Sequence, residues 1–450
     1  MKKMLAMLLT GTIVFSMTAC GNNSSGGAST PSDSKETSTA NKTSTTESTS
    51  SPVTLNVTTT YAGEDTNATN YQDAIAAWQK ETGNTLNDAS GSATETFKAR
   101  VISDFEMGSE PDVLFYFNGV DSNPFVEAGK VVSIEEIRQT YPDYATNMKD
   151  GMMGASPVDG KNYSVPVNGY WEGMFVNKAV CEAANVEIPG PDTTWDEFMD
   201  ICQTIKDAGY TPIAASFAEI PHYWFEFCIY NYLDPATHNI VPGSVDDKQG
   251  TAWVKGISDM KLLYENGFLP ENTLSATDGE TFQLFVDGKA AFLIDGSWKV
   301  GGIEGATDDI DNFTVTYVPG KNDRKTTDII GGLSSGWYIT RKAWEDPEKQ
   351  KTCVEFISYM TSDEMVSKFA SVSATALNNG SQVDESQLSS LAVAGLDFVK
   401  GATGMTGAVQ DQVTQEARVP VFNGMPDIVT GKTDIAAAVE ELLGLVAAGK

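Results

Sequence analysis

From Val53 onward the apolar positions alternate between two periods. "VTLNVTTTY" (53–61) is β-branched and reads as a strand ending at Tyr61. "NYQDAIAAWQKETG" (70–83) places Tyr71, Ile75 and Trp78 on one helical face and stops on a glycine. "TETFKARVISDFEMG" (94–108) is a second amphipathic helix, and "PDVLFYF" (111–117) a buried strand. A helix over 193–209 carries a capping box at Thr194 and Glu197, and "TPIAASF" (211–217) follows as a strand. Residues 252–267 read as a helix with a Gly stop, and 347–362 as a helix with Pro in its first turn. "FTVTYVPG" (313–320) and "SGWYIT" (335–340) read as strands, and the last sixteen residues as a helix. Strands alternating with helices predict an α/β fold with parallel-leaning sheets under helices. No internal repeat is visible.

A chain of 450 residues exceeds one small core, so two lobes are expected. The first 52 residues stand apart. "MKKMLAMLLTGTIVFSMTAC" has two lysines, a short apolar run, then small residues before Cys20. That is an export signal, too short for a membrane-spanning helix with stop-transfer flanks. "MTAC" resembles the bacterial lipobox. The resemblance implies removal of residues 1–19 and acylation of Cys20, although Met17 stands where Leu is commoner. In residues 21–51 seventeen side chains are Ser or Thr and none is large and apolar. Such a segment cannot bury enough surface to fold. Residues 20–52 are therefore expected to be a tether, roughly 30 Å as a coil and about 100 Å stretched. The layout is a globular body held on the outer face of a membrane, with two or more acyl chains as its only membrane contact.

The net charge of −31 excludes nucleic acid as a partner, because nothing could neutralise a row of phosphates. It equally disfavours docking to an anionic membrane surface. Cys181, Cys202, Cys228 and Cys353 show no paired spacing and are expected as free, buried thiols. His222 and His238 are the only histidines, and neither has metal-ligand spacing, so no metal or cofactor is expected. "GLSSG" (332–336) matches the nucleophile-elbow pattern, but a strand comes after it where a helix is required, so Ser334 is not expected to be a nucleophile. "GKT" (431–433) lacks the upstream glycine of a phosphate loop. Asp308, Asp309 and Asp311 read as a solvated turn. No enzyme is expected.

Aromatic residues gather instead at strand ends and in turns, where open α/β sheets bind ligands. Tyr61 closes the first strand, with Glu64 in the turn after it. Tyr116, Phe117 and Asn118 close another strand. Tyr170, Trp171 and Glu172 lie in "NGYWEG". His222, Tyr223 and Trp224 open a helix. Asp295 and Trp298 end "FLIDGSW", and Gly336 and Trp337 come after a Gly/Ser turn. Flat rings beside carboxylates and amides suit a sugar, whose C–H faces stack while its hydroxyls hydrogen-bond. Trp78 reads as core by its helical spacing, Trp195 as structural because it lies inside the capping box, and Trp253 and Trp344 carry no ligand expectation.

Five segments occur in an order that carries a family resemblance: "PDVLFYF", "DGKNYSVPVNGYWEGMFVNKAVCEAANVEIPGPDTTWDEF", "TFQLFVDGKAAFLIDGSW", "GGLSSGWYITRKAWEDPEKQKTCVEFISYMTS" and "DIVTGKTDIAAAVEELL". They resemble the extracellular solute-binding proteins of sugar ABC transporters, the group that includes the maltose-binding protein. The resemblance spans residues 53–450. It implies a two-lobed, type II periplasmic-binding-protein-like fold with the solute in a cleft between lobes. It also implies delivery of a mono- or oligosaccharide to an ABC-transporter permease, by a chain expected as a monomer. Lobe 1 would comprise 53–165 and 313–375, and lobe 2 would comprise 166–312 and 376–450. Hinges are implied near Tyr163–Asn168, near Asp311–Thr314 and near Ala374. Trp298 takes the family's stacking position, the Tyr116–Asn118 strand end supplies contacts from one lobe, and the His222–Trp224 region supplies an aromatic from the other. A basic residue that some relatives place after the "PDV" strand is absent, which leaves the sugar open. Two alternatives stand beside this reading. One is a receptor of the same fold for a polyamine, peptide or metal complex. The other is a surface glycoside hydrolase, which would need two carboxylates flanking the scissile bond.

Overall fold

A computed structural model describes residues 51–153, 156, 158–219, 222–370, 373, 375–380 and 383–449. The export signal, Cys20, nearly all of the tether and Ala374 lie outside the described residues, as does the side chain of His222.

Among the described residues, ten strands form two sheets. The first sheet has the order β2 (Thr85–Asp88), β1 (Thr54–Thr58), β3 (Val113–Phe117) and β9 (Ser335–Ile339). β1 runs parallel to β2 and β3, while β9 is antiparallel to β3, with Tyr116 opposite Gly336. One face packs under the helices Ala68–Thr82 and Pro347–Met360, burying Leu55, Val57, Tyr71, Trp78, Trp337 and Phe356 in one core. The other face buries Tyr116 and Tyr338 against Phe97, Phe105 and Phe125. The amphipathic patterns dictate this layering. Tyr71, Ile75 and Trp78 fall on the inner stripe of their helix, which ends on Gly83 at φ +74°, a left-handed cap that suits glycine.

The second sheet is built on β4 (Tyr170–Asn177). β6 (Ala290–Gly296) pairs along one edge of β4, with β5 (Thr211–Ile213) parallel beyond it. The other edge is shared end to end. β8 (Asp328–Gly332) pairs with Tyr170–Glu172, β7 (Phe313–Thr316) pairs with Met174–Asn177, and β10 (Gly404–Thr406) lies outside β8. Helices cover both faces, so β4 is buried almost throughout. Met174 and Val176 face a large core with Trp195, Phe198, Trp224 and Trp253, while Trp171 and Phe175 face a second core with Phe398. At Gly173 the helix Ser390–Gly401 packs closely over β4. A β-carbon there would lie 3.0 Å from the Phe398 ring.

The chain first crosses between sheets from Val167, in the first core, to Tyr170. It returns between β8 and β9, at Leu333–Ser334. This corrects the expected boundary at 313. β7 belongs to the second sheet because Phe313 and Val315 are buried beside Phe285 and Phe398 under β4, so the first lobe resumes only with β9. Leu377 still lies in the first core, and the next helix, Ser390–Gly401, packs on β7, so the last crossing falls between them rather than near 375.

Cys181, Cys202, Cys228 and Cys353 are buried and unpaired. The capping box at Thr194 and Glu197 is formed as expected. Among the described residues no helix is long and apolar enough to cross a membrane.

Candidate functional site

Strand ends and their turns from both lobes meet across a cleft. The turn after β1 (60–66) faces the turn after β6 (297–301). Two cavities lie along this seam. One, of about 70 Å³, is lined by Tyr61, Asp65, Asn168, Tyr170, Trp298 and Ser334. The other, of about 800 Å³, is lined by residues that include Glu64, Asp65, Glu95, Tyr223, Asp295, Trp298 and Lys299.

Trp298 borders both cavities and is half-buried. Its ring folds back over Gly296, where a β-carbon would come within 2.2 Å of the indole, so the glycine of "DGSW" makes room for the ring. Tyr170 and Tyr223 flank it, with centroids 6.1 and 5.7 Å away, and the three rings form an aromatic wall on the second lobe. Asp295 is buried at the strand end and accepts from Gly296 N–H (2.8 Å). Burial pushes its carboxyl up to about 7 although Lys299 pulls the other way. Lys299 reaches three carboxylates: Glu64 of the first lobe at 2.7 Å, Asp278 at 3.3 Å and Asp295 at 3.8 Å. Burial works against its charge, but those carboxylates outweigh burial and hold the ammonium above its usual range. Behind the rings, Glu172 is buried, and among the described residues its Oε2 has no hydrogen-bond partner. Burial, then Glu226, Asp411 and Asp295, push its carboxyl well above the usual range. Burial also raises Asp411 to about 6, and raises Asp65 on the opposite wall to about 7.

The lobes are clasped on both sides of this space. Thr66 N–H donates to the Trp298 carbonyl at 2.9 Å. At the far side Arg418, from the helix Gln415–Asn423, reaches Glu95 at 3.0 Å and Asp121 at 3.4 Å, and Gln415 donates to the Glu95 carbonyl. Lys98 also holds Asp121, at 2.8 Å. Burial raises the Asp121 carboxyl, but Lys98 and Arg418 more than offset this and keep it low.

Of the residues expected from sequence, Tyr61, Glu64, Tyr223, Asp295 and Trp298 line the cavities, and Glu172 lies behind them. Tyr61 is itself mostly buried, stacked on Phe115 at 4.4 Å, with its hydroxyl 3.4 Å from Asn168 Oδ1. The others are corrected. Tyr116 is fully buried among Phe97, Phe117 and Phe125 because strand alternation turns it away from the cleft. Phe117 lies under Lys98 Nζ at 4.2 Å, and neither cavity includes it. Asn118 Oδ1 accepts from Ser164 and Tyr338, which commits it to bracing the first lobe. Trp171 packs on Phe398 beneath Gly395, Trp224 lies beside Phe198, and Trp337 sits edge-on to Phe356, all buried in cores. Gly336 serves a close chain approach, since a β-carbon there would meet Ser164 Oγ at 2.7 Å. Tyr170, expected only as one of the strand-end aromatics, lines the smaller cavity, and Asp65, Asn168 and Lys299 line the cavities without having been expected there. Tyr170 had a signal, because it alternates with Trp171 along one strand and only one of the two can face the cleft. Asp65 had another, as the only acid besides Glu64 in the turn at the carboxyl end of β1.

The comparisons fit this geometry. Residues 73–390 match the family model described as bacterial extracellular solute-binding protein. The multiple sugar-binding protein of Streptococcus mutans is 23% identical over 289 residues, 62% of this chain and 64% of the relative. The sn-glycerol-3-phosphate-binding periplasmic protein of Rhizobium meliloti is 23% identical over 293 residues, 63% of this chain and 65% of the relative. The matched region thus spans less than two thirds of the length of these curated relatives. Among solved structures, a chitin oligosaccharide binding protein superposes with TM-score 0.75 and 19% identity over 88% of this chain and 98% of its own. A solute-binding protein in complex with raffinose gives TM-score 0.66 and 19% identity over 87% and 98%. These likenesses establish the two-lobed type II fold. With the family model covering more than half of its residues, the chain belongs to the bacterial extracellular solute-binding protein family.

Proposed function

We propose that this protein captures a carbohydrate outside the membrane and delivers it to an ABC-transporter permease, without catalysing a reaction. The observation that carries the reading is the aromatic wall of Tyr170, Tyr223 and Trp298 facing Glu64, Asp65 and Asn168 across the cleft. Rings stack on the apolar face of a sugar, and carboxylates and amides take its hydroxyls. A cavity of about 800 Å³ lies toward the upper end of the range for small-molecule sites, which favours an oligosaccharide over a single ring. The relatives named for multiple sugars and chitin oligosaccharide support the same class. An anionic solute such as a sugar phosphate is disfavoured, because Lys299 is already shared among three carboxylates. The reading includes acylation of Cys20, the 20–52 tether as a leash, and a monomeric body that touches the membrane only through its lipid. Lobe motion about Asn168–Gly169 and Leu333–Ser334 would couple occupancy to the permease.

The test is a melting-shift screen. Neutral oligosaccharides should raise the melting temperature by several degrees, and glycerol-3-phosphate should not. The excess of buried carboxyls beside aromatic rings favours one second reading, an amine-bearing solute. Its affinity would rise as pH passes 7 and Asp295 ionises, whereas a neutral sugar would lack that rise. Turnover of any glycoside would refute both readings.

A further inference from the structure

The aromatic wall and the lobe seam share one turn. The hydroxyl of Thr66, from the first lobe, lies 2.9 Å from the Trp298 carbonyl and 3.1 Å from the Ser297 carbonyl, and accepts from Gly301 N–H at 2.9 Å. Thr66 N–H also donates to the Trp298 carbonyl. One side chain of the first lobe thus engages three consecutive features of the turn that carries the stacking ring. The approach is close enough to exclude a side chain opposite. A β-carbon on Gly301 would lie 2.7 Å from Thr66 Cα, and one on Gly302 would lie 3.1 Å from the Glu64 carbonyl oxygen. Both obstacles are backbone, which cannot swing aside. Both glycines lie in the helix Val300–Ala306, where Gly is the poorest residue short of proline. The local structure gains nothing from two adjacent glycines, and the opposing lobe does.

We infer that Thr66 is a positioning residue that locks the Trp298 turn when the lobes close, and that Gly301 and Gly302 form the seat it needs. The inference rests on the two-lobed capture reading, but the seat exists whatever the solute is. A solute that orders the Trp298 turn presents the Trp298 and Ser297 carbonyls and the Gly301 N–H in one geometry, and Thr66 recognises that geometry. Closure then has a differential contact to draw on, which a ligand-driven population shift requires. Opening the cleft costs these groups nothing beyond their exchange to water, so the seat favours the closed form without trapping it.

Gly301→Ala, Thr66→Val and Thr66→Ser separate this role from a structural one. Spin labels at Glu81→Cys and Asp200→Cys, exposed positions in different lobes, report the interlobe distance, because the native body thiols are buried. Measurements run on the full chain, without solute and with xylotriose, chitotriose or raffinose. The wild type should show a short-distance population that Gly301→Ala and Thr66→Val lose and Thr66→Ser retains. The unliganded melting temperatures should stay at or above that of the wild type for Gly301→Ala and close to it for Thr66→Val. Affinity for whichever probe binds should fall about tenfold or more in the first two variants. A Gly301→Ala protein with the wild-type short-distance population overturns the inference, as does a wild type with no such population. If none of the three sugars binds the wild type, the carbohydrate reading fails, and the distances alone decide the seat.

Discussion

The two walls of the cleft are built from different chemistry although both come from strand ends. The first lobe presents Thr60, Asp65, Thr66, Ser92 and Thr94, polar groups on turns, and buries its aromatics so far that only the mostly buried Tyr61 and Phe115 touch the smaller cavity. The second presents Tyr170, Tyr223 and Trp298 with Asp295 and Lys299. The difference arises in the turns at the strand ends. β3 keeps its alternation to the last residue, so Tyr116 points into a helix-covered core and its neighbours are used for bracing. β6 ends in Asp-Gly, and the glycine lets the chain fold the next ring back over its own strand end. Strand-end position alone does not make an aromatic a ligand contact. The turn that carries it has to bend toward the seam.

The largest expected effect contrasts two tryptophans. Trp337 is fully buried, and Trp337→Ala should destabilise the fold by about 3–5 kcal/mol. Chemical denaturation checks this, and affinity measured on the folded fraction should be unchanged. Trp298→Ala should do the reverse. Ligand binding weakens by about 1–3 kcal/mol, roughly one to two decades, with little loss of stability. If Trp298→Ala unfolds the protein as Trp337→Ala does, the wall is core and the contrast collapses.

A smaller effect comes from Asp295. Its folded carboxyl titrates near 7, far above an unfolded aspartate. With the folded value raised, the favourable contribution is whole below the unfolded value and is lost as pH rises through the folded one. Asp295→Asn should therefore melt increasingly above the wild type between about pH 4 and pH 7 and keep a constant margin beyond. Parallel melting curves across that window would show that Lys299 keeps Asp295 ionised throughout. Smallest of all is Tyr116→Phe. Among the described residues its buried hydroxyl has no partner, so removal should leave affinity untouched and shift stability upward by no more than about 1 kcal/mol.

Much of this architecture could be read from periodicity. Trp78 and Trp195 are core, the Thr194–Glu197 cap forms, and the strands at 113–117 and 335–339 stand where alternation puts them. What could not be read is which side of a fully buried strand faces a neighbour lobe. β4 is buried on both faces, and its one charged residue, Glu172, shares a face with Tyr170. That face also carries the core residues Met174 and Val176, so the pattern does not single out Tyr170 as the cleft side and Trp171 as the core side. The 313 boundary failed for a related reason. β7 and β8 are consecutive short strands, and only their pairing with opposite halves of β4 shows that both stay in the second lobe. Lys299 was hidden because the carboxylate it reaches across the cleft, Glu64, lies 235 residues away in sequence.

The most direct measurement of the central claim is the distance between spin labels at positions 81 and 200, with and without the sugar that gives the largest melting shift. The account predicts that saturating sugar moves the population to the short distance, and that Trp298→Ala demands a correspondingly higher concentration to do so. An unchanged distance distribution at saturation, with binding confirmed by calorimetry, would contradict a solute held between two closing lobes.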